Sequence, residues 1–447
     1  MESKQYIVTI EICSSKIVGA LGEKSPNGSV SLIALESDRI STDCVRRGFV
    51  QNVEEAKSHM LDIIKRLESH ITPSRITGVY VGVAGRSLHN MPVEITLDLD
   101  PNQLISEEVI NNIVARCRAM NVDGEILDVV PCCYEIDGNP DVRNPIGSYS
   151  GRIRAKMNLI VAKNTLKINL QRVFDTVKVK GYIITPLAVA DKILTNDERQ
   201  LGCMLVDFGA ETTTVSIFKN DALRYMATLP MGSRLITLDI TNMNIIESKA
   251  EDLKLTVGNA MELEMKNEPV IDGVRVTDVS NYVVARVGEI GANIAEQISY
   301  AGMHIDDLAA GVTLIGGGSQ LNGFSSFIEK TMKLKVTKGQ QCPYVNIIMS
   351  VAENFIYIQS VALLATAADI IDLTDNCVYT PKEKPVEPPV EVKPPVEETP
   401  KEKPAQKKNS FFSLIRDRLK SARNIFDDDS EGSDDSYSDD EEKSAKY

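Results

Sequence analysis

A strand, an acidic residue, a turn rich in hydroxyl groups and a second strand follow one another twice in this chain. The first copy covers 6–18 with Glu11 as its acidic residue, and the second covers 205–218 with Asp207 in the same place. Such a hairpin offers backbone N–H groups and hydroxyls to an anion, and the carboxylate at its base can hold a hydrated cation. Two copies therefore predict two similar lobes that face one phosphate chain.

A third motif, at 311–324, is a strand that ends in Gly316, Gly317 and Gly318. Glycines let the backbone approach a ligand more closely than a residue with a Cβ allows, and the N-terminus of a following helix favours negative charge. Glu251 and Lys254 lie one turn apart on a predicted helix between these motifs. They could hold a ribose or a base, or they could form a surface ion pair.

Length and charge exclude several classes of protein. A chain of 447 residues exceeds one ordinary core, so two or more domains are expected. A net charge of −14 argues against nucleic acid as the main partner. The eight cysteines show no CxxC pairing and are predicted to be buried reduced thiols, and the four scattered histidines predict no metal site. With no signal segment and no apolar run near the ~20 residues of a membrane span, a cytosolic location is expected unless another feature attaches the chain to a membrane.

Strands and helices alternate over 1–372, which predicts α/β construction. Predicted strands cover 30–36 and 76–82, and predicted helices cover 53–69, 101–120 with Ser106 as N-cap, 165–180 and 280–301. The composition changes near Cys377. Residues 380–408 consist mainly of Pro, Glu, Lys and Val, and this composition predicts an extended, solvated spacer.

Residues 409–426 predict an amphipathic helix, because apolar residues recur at intervals of four, four, three and four from Phe411 to Phe426. An apolar face with basic flanks, at the end of a spacer, suits the surface of an anionic bilayer. The alternative is a helix that docks in a protein groove or on its own core. The residues predicted to meet the membrane are Phe411, Phe412, Leu414, Ile415, Arg416, Arg418, Leu419, Lys420, Arg423 and Phe426. The acidic tail 427–447 could weaken attachment, cover the basic face or extend into solvent.

Taken in order, these motifs resemble the superfamily of actin, heat-shock chaperones and sugar kinases. Within it, residues 48–56, 135–151, 186–209 and 229–240 are similar to the FtsA family of bacterial cell-division proteins. The resemblance implies a two-lobed actin-like ATPase fold that binds ATP with Mg²⁺ and self-assembles into filaments. It also implies a peripheral position on the cytoplasmic face of the inner membrane at the division site. The implied partner is the C-terminal tail of the division GTPase FtsZ, for which Arg286 is the candidate contact; the alternative is a solvated arginine on a helix face.

The resemblance also implies how the chain is divided. The expected parts are 1–82 and 166–200 for the core of lobe 1, 83–165 for an inserted subdomain, 201–235 and 309–372 for the core of lobe 2, 236–308 for a peripheral subdomain of lobe 2, 373–408 for the linker, 409–426 for the membrane-targeting helix and 427–447 for the acidic tail.

The motifs assign expected roles around the nucleotide. Glu11 and Asp207 would hold the metal through water, and Asp207 is the best candidate for a catalytic residue. The expected phosphate contacts are Ser14, Ser15, Lys16, Gly209, Thr212 and Thr213. The expected ribose and base contacts are Glu251, Lys254, Gly316, Gly317 and Gly318. The chain has Glu11, Cys13 and Glu211 where the family usually has Asp and glycines, and these departures predict slow ATP hydrolysis at most, with Glu211 facing the γ-phosphate.

Three other functions share parts of this pattern. A small-molecule kinase of the superfamily needs a substrate pocket with a catalytic Asp, and an actin-like scaffold of a pilus or secretion machine normally lacks a lipid-binding tail. A heat-shock chaperone needs a substrate-binding β-domain after its ATPase. The predicted helix at 409–426 favours a membrane-attached division protein over all three.

Overall fold

The computed structural model describes residues 4–261, 270–271, 273–339, 342–347, 357–372 and 374–381. The predicted helix 409–426, the acidic tail 427–447 and most of the predicted linker 373–408 lie outside those residues. None of the helices in the described ranges is long and apolar enough to span a bilayer.

Strands and helices alternate as the sequence predicts. The strands are, in chain order, β1 (Gln5–Ile12), β2 (Lys16–Lys24), β3 (Val30–Arg39), β4 (Val45–Arg46), β5 (Phe49–Val50), β6 (Arg75–Ile76), β7 (Val79–Val83), β8 (His89–Leu104), β9 (Glu125–Ile136), β10 (Asn139–Val142), β11 (Tyr149–Ala162), β12 (Val179–Ile184), β13 (Cys203–Phe208), β14 (Thr213–Lys219), β15 (Ala222–Leu229), β16 (Val270–Ile271), β17 (Val274–Arg275), β18 (Gly311–Ile315), β19 (Val336–Lys338), β20 (Val345–Ile347) and β21 (Val378–Tyr379). The α-helices are α1 (Val53–Ser69), α2 (Glu107–Arg118), α3 (Asn164–Val173), α4 (Thr185–Ile193), α5 (Asn196–Leu201), α6 (Arg234–Ile240), α7 (Glu247–Thr256), α8 (Val276–Tyr300), α9 (Phe324–Met332) and α10 (Ile358–Ile370).

The first lobe is built on a sheet with the strand order β12-β7-β1-β2-β3-β20. β1, β2 and β3 form an antiparallel meander, and β7 runs parallel to β1. Helix α1 covers this meander and begins at Asn52, whose side chain accepts a hydrogen bond from the backbone N–H of Glu55. Its apolar face lies so close to β2 that a Cβ on Gly19 would be 2.5 Å from Ile63, so a glycine is required there.

The second lobe and the inserted subdomain share one continuous sheet with the strand order β10-β9-β11-β8-β15-β14-β13-β18-β19. The two parts join where β8 meets β15, through the pair His89 and Ala227. Two buried asparagines reinforce this joint. Asn90 donates to Asn158 over 2.7 Å and accepts from the Met226 N–H over 2.6 Å. The inserted subdomain is therefore attached to the second lobe by backbone pairing and a buried polar network.

Three hydrophobic clusters correspond to these parts of the molecule: one under the first sheet, one in the second lobe and one in the inserted subdomain. The first cluster also takes in Leu205, Leu223 and Met226 from the second lobe. Helix α10 is almost wholly buried and belongs to this shared cluster. The two lobes therefore share part of one apolar core, and α10 belongs to it.

Three predictions from the sequence meet different structure. The helix predicted at 165–180 is wrong at its end, because α3 stops at Val173 and β12 begins at Val179. The helix predicted at 101–120 is wrong at its start, because β8 continues to Leu104 and α2 begins only at Glu107. Pro101 is tolerated because the register of β8 on β11 shifts near it, so its missing N–H breaks no regular pair. The described residues 374–381 fall in the predicted linker and include β21, which pairs with β6 of the first lobe.

Candidate functional site

The two hairpins place an acidic residue of each lobe at the end of a strand that opens into a turn. Glu11 pairs with Val18 in the hairpin of β1 and β2, and Asp207 pairs with Thr214 in the hairpin of β13 and β14. Each acidic strand also has a parallel neighbour, β7 for β1 and β18 for β13. The repeated sequence motif therefore forms the same local structure in both lobes.

The start of α10 contacts both carboxylates. Ser360 donates a hydrogen bond of 2.9 Å from Oγ to Glu11 Oε2, and Gln359 donates from Nε2 to Asp207 Oδ2. Just before the helix, the Tyr357 ring centroid lies 4.0 Å from the Nζ of Lys16. Two consecutive side chains of one helix thus link acidic residues that are far apart in the sequence.

Sequence reasoning missed these α10 residues. A signal was nevertheless present, because Gln359 and Ser360 are polar residues at the start of an otherwise apolar helix, Ile358–Ile370. A buried polar side chain requires a hydrogen-bonding partner. The partners here are the two carboxylates that the sequence had assigned to the metal.

Burial makes both carboxylates poor anions in the absence of a cation. Burial raises the pKa of Glu11 above its ordinary value. Burial, followed by the negative charge of Glu11, raises the pKa of Asp207 to about 7. Among the described residues, the buried Oδ1 atom of Asp207 has no hydrogen-bond partner. A hydrated divalent cation would satisfy that oxygen and offset both charges, so the residues present fit a metal site.

The predicted phosphate contacts divide into two groups. Ser14 accepts a 3.0 Å hydrogen bond at Oγ from the Gly48 N–H, and Thr213 donates a 2.7 Å bond from Oγ1 to the Met231 carbonyl. These two buried hydroxyls already have partners within the protein. The residues of the predicted set with more exposed positions are Ser15, Lys16, Gly209 and Thr212. The second group therefore lies nearer the surface than Ser14 and Thr213.

Glu211, in the turn of the second hairpin, is bound within the protein. Its Oε2 atom accepts a 2.6 Å hydrogen bond from the Arg47 N–H, and its Oε1 atom lies 3.0 Å from Nη1 of Arg234. Arg234 also pairs with Glu247. Whether this carboxylate faces a γ-phosphate stays a prediction, but the guanidinium of Arg234 already offsets its negative charge.

The three glycines after β18 have different neighbours. Gly316 has φ +85°, and a Cβ there would lie 2.5 Å from the Asp207 carboxylate and from the Phe208 carbonyl. A Cβ on Gly318 would lie 2.8 Å from Phe208. Gly317 has no atom within 4 Å of its would-be Cβ. Gly316 and Gly318 are therefore required because the turn packs closely on β13. Of the three glycines, only Gly317 borders open space.

Glu251 and Lys254 of α7 do contact each other. The Lys254 Nζ lies 2.7 Å from Glu251 Oε2 and 3.0 Å from Thr237 Oγ1 of α6. Lys254 is only 5% exposed, and burial lowers its pKa. The alternative of a surface ion pair is wrong for Lys254. Whether this polar cluster meets a ribose or a base stays a prediction.

The candidate partner residue, Arg286, lies on α8 within the predicted peripheral subdomain. Its guanidinium pairs with both carboxylate oxygens of Asp239 on α6, at 2.6 and 2.9 Å, and it also pairs with Glu289. The side chain is 24% exposed. It therefore links two helices and remains partly exposed. The predicted membrane residues, Phe411 to Phe426, lie outside the described part of the chain.

Two family models match this chain. The model described as cell division protein FtsA matches residues 204–362, and the model described as the SHS2 domain inserted in FtsA matches residues 85–161. The second match falls on β8 to β11 and α2, the inserted subdomain. The first covers the second hairpin, the glycine turn and the start of α10.

Curated relatives agree with these matches. A cell division protein FtsA of Porphyromonas gingivalis is 29% identical over 343 residues, which are 72% of this chain and 70% of the relative. The corresponding protein of Neisseria meningitidis is 27% identical over 355 residues, 76% of this chain and 85% of the relative.

Among solved structures, one from a PilM–PilN type IV pilus biogenesis complex is similar to this chain, with a TM-score of 0.57 at 14% identity. The match covers 81% of this chain and 98% of that one. At this identity the similarity concerns the fold alone. Together with the two family models, it confirms the predicted actin-like fold with an inserted subdomain.

Proposed function

The chain belongs to the FtsA family of cell-division proteins, and we propose that it is an ATP-binding, actin-like protein that attaches the FtsZ ring to the cytoplasmic face of the inner membrane. In this proposal the nucleotide is bound with Mg²⁺ between the lobes, and the protein self-assembles into filaments. The 409–426 segment binds anionic lipid. The family assignment supports the division role. The geometry around Glu11 and Asp207 supports nucleotide binding, and the sequence of the tail supports membrane attachment.

One observation carries the nucleotide proposal: the buried, unpartnered Oδ1 atom of Asp207 lies at the end of one hairpin while Glu11 occupies the same position in the other. An unpaired carboxylate oxygen in a buried position is costly. A hydrated Mg²⁺ with its nucleotide would supply the compensating charge. Within the chain, Gln359 and Ser360 hold the two carboxylates in place. Lys16, whose Nζ lies 4.0 Å from the centroid of the Tyr357 ring, is the proposed contact for a phosphate oxygen.

The same geometry supports a ligand role for ATP more than rapid turnover. Glu11 and Asp207 belong to different lobes, so a ligand that binds both favours one relative position of the lobes. Near the two hairpins, the described residues offer no catalytic candidate other than Asp207. We therefore expect nucleotide to control lobe closure and self-association, with slow hydrolysis at most.

The tail supports the membrane part of the proposal through its sequence. Residues 409–426 combine an apolar stripe with basic flanks, and each nearby basic residue contributes about 1 kcal/mol to binding an anionic surface. A single helix of this kind binds reversibly, but many copies in a filament bind far more tightly. Arg286 is the proposed contact for the FtsZ tail, because it is basic and partly exposed and lies on α8 in the predicted peripheral subdomain.

Two rival functions have weaker support. The pilus scaffold rests on a similarity of fold, at 14% identity, to a protein of a pilus complex. The kinase would leave the basic amphipathic segment without a role. Sequence similarity to division proteins over most of the chain favours the division role over both.

The nucleotide proposal is tested by titrating ATP with Mg²⁺ into the full chain and into two variants. Asp207→Asn keeps the shape of the side chain and removes the charge. Asp98→Asn is the matched control, since Asp98 is 74% exposed and belongs to the inserted subdomain. We expect at least a roughly tenfold weaker affinity for Asp207→Asn, corresponding to about 1.4 kcal/mol, and no change for Asp98→Asn. Equal affinity of all three proteins would overturn the proposed site.

A further inference from the structure

A cavity of about 600 Å³ lies where the inserted subdomain meets the second lobe. β8, β9 and β11 form one wall, and β15 with the segments after α8 forms the other. Three cationic side chains line it, together with two carboxylates, two methionines and one cysteine. These residues include Cys132, Lys156, Met157, Lys219, Arg224 and Met303. Asn158 lines the cavity and also belongs to the joint between the two parts. A molecule bound in the cavity would therefore lie beside that joint.

Two β-bulges direct side chains into this cavity. The register of β9 on β11 skips Cys132, and the register of β14 on β15 skips Arg224. A bulge leaves its extra residue unpaired and redirects the side chain. The two redirected side chains meet: Nη1 of Arg224 lies 3.1 Å from Sγ of Cys132. Irregularities in two separate strands thus place a guanidinium against a thiol.

The surroundings favour the thiolate form of Cys132. A hydrogen bond from the Cys133 thiol lowers the pKa of Cys132 to about 7, with help from the charges of Arg224 and Lys156, although burial and the charge of Asp141 act in the opposite direction. Within the described ranges, no carboxylate forms an ion pair with Arg224. At Cys44, Cys203 and Cys377, by contrast, burial is the largest influence and the pKa of the thiol is raised.

Arg224 and Lys156 also make the cavity suitable for an anion beside the sulfur. Glu94 lies 3.8 Å from Lys156, and Lys219 donates to the backbone carbonyl of Asp307, so part of the cationic charge is already compensated. The Arg224 guanidinium is bound only to the thiol and to the Lys219 carbonyl among the contacts described here. A carboxylate that enters the cavity would meet this group within reach of Sγ.

We propose that this cavity is a thiol-exchange site in which Cys132 reacts with small disulfides that carry a carboxylate. The Cys132 thiolate attacks one sulfur, a new S–S bond joins Cys132 to that half of the disulfide, and the original S–S bond breaks. The other half leaves as a thiolate that takes a proton from water. Cys132 is thereby oxidised and the small disulfide reduced, and an excess of thiol reverses the exchange. The adduct would occupy the space beside the joint between the inserted subdomain and the second lobe.

The test compares two disulfides of similar size and opposite charge, dithiodiglycolate and cystamine, on the full chain. Intact mass and peptide mapping follow the adducts, and a synthetic peptide of residues 128–137 supplies the reference rates. We expect one early adduct, at Cys132, and a preference for dithiodiglycolate over cystamine that the peptide does not show. Early modification of a different cysteine, or the same preference in the peptide, would overturn the proposal.

Variants separate the site from general thiol reactivity. For Arg224→Gln we expect a higher midpoint in the pH–rate profile and a roughly threefold slower exchange at pH 7, because higher nucleophilicity offsets part of the lost thiolate. Arg224→Lys should retain most of the rate, and Lys156→Gln should reduce it. Arg154→Gln is the matched control, since Arg154 lies on β11 and pairs with Glu135. An unchanged pH profile in folded Arg224→Gln and Lys156→Gln would contradict the proposed role of the cavity.

Discussion

Glu211, in the turn of the second hairpin, accepts a 2.6 Å hydrogen bond from the backbone N–H of Arg47 in the first lobe. The same carboxylate pairs with Arg234 of its own lobe. Glu211, which stands where glycines are usual in this family, therefore connects the two lobes. It helps to hold them in one relative position.

Replacement of Glu211 by Ala should weaken this connection. We expect the free energy of unfolding to fall by about 1–3 kcal/mol, because the Arg47 N–H loses a charged acceptor in a mostly buried position. Hydrogen exchange at the amide of Arg47 should become faster. Glu247→Ala is the control, since Glu247 also pairs with Arg234 but is 46% exposed and does not reach the first lobe. Glu247→Ala should lower the free energy of unfolding by less than about 1 kcal/mol. Equal losses in the two variants would show that the bond to Arg47 contributes nothing.

The raised pKa of Asp207 predicts a pH-dependent stability of the protein without nucleotide. Its value of about 7 exceeds the ordinary 3.8, so the folded state binds a proton that the unfolded state has lost between those pH values. Stability from this group consequently falls as pH rises from about 4 to about 7, and the full penalty persists above that range.

Asp207→Asn removes that penalty. We expect the variant to gain about 2–4 kcal/mol in free energy of unfolding at pH 8 and to gain little near pH 4. Denaturant titrations at the two pH values, with Asp98→Asn as the exposed control, provide the measurement. A gain that does not depend on pH, or a loss at pH 8, would refute the assignment of the shift to Asp207.

The glycine turn predicts a sharp contrast between neighbouring substitutions. Gly316→Ala introduces a Cβ 2.5 Å from the Asp207 carboxylate at a φ of +85°. We expect a loss of more than about 2 kcal/mol in unfolding free energy, because both the backbone conformation and the contact are unfavourable. Gly317→Ala meets no atom within 4 Å and should change stability by less than about 1 kcal/mol. Thermal unfolding of the two variants gives the two losses of stability. Similar losses in both variants would contradict the described packing of Gly316 on Asp207.

Two arginines with similar ion pairs allow a test of the proposed FtsZ contact. Arg286 pairs with Asp239 through two nitrogens, and Arg275 pairs with Asp278 in the same way. We expect Arg286→Ala to weaken binding of a fluorescent FtsZ C-terminal peptide by about five- to tenfold and Arg275→Ala to leave it unchanged. Fluorescence anisotropy gives the affinities, and circular dichroism checks that α8 is intact. Unchanged binding by a folded Arg286→Ala would remove this residue from the interface.

The sequence predicts the parts of this fold that depend on local pattern. Each hairpin contains its own apolar strand, its turn and the acidic residue at the end of the strand. Glu11 and Asp207 are therefore recognisable from neighbours a few residues away. The glycine turn is recognisable for the same reason. What the glycines approach is decided by the strand packed beside them, and for Gly316 that partner is Asp207 itself.

Long-range contacts account for what the sequence did not predict. The polarity of Gln359 and Ser360 in a mostly apolar helix indicates that they need partners, but only the packing of α10 decides that the partners are Asp207 and Glu11. The bond between Glu211 and Arg47 likewise joins segments that are distant in the chain. The bulges at Cys132 and Arg224 depend on the register of two strand pairs, which sequence spacing alone does not fix.

Vesicle flotation with purified FtsZ tests the central claim, membrane attachment of the FtsZ ring, most directly. FtsZ is mixed with the full chain, or with a chain that ends after Lys408, and floated with anionic or neutral vesicles in the presence of ATP and Mg²⁺. We predict that FtsZ reaches the top of the gradient only with the full chain and only on anionic lipid. Equal flotation of FtsZ with the shortened chain, or failure of the full chain to float on anionic vesicles, would contradict the proposed membrane attachment.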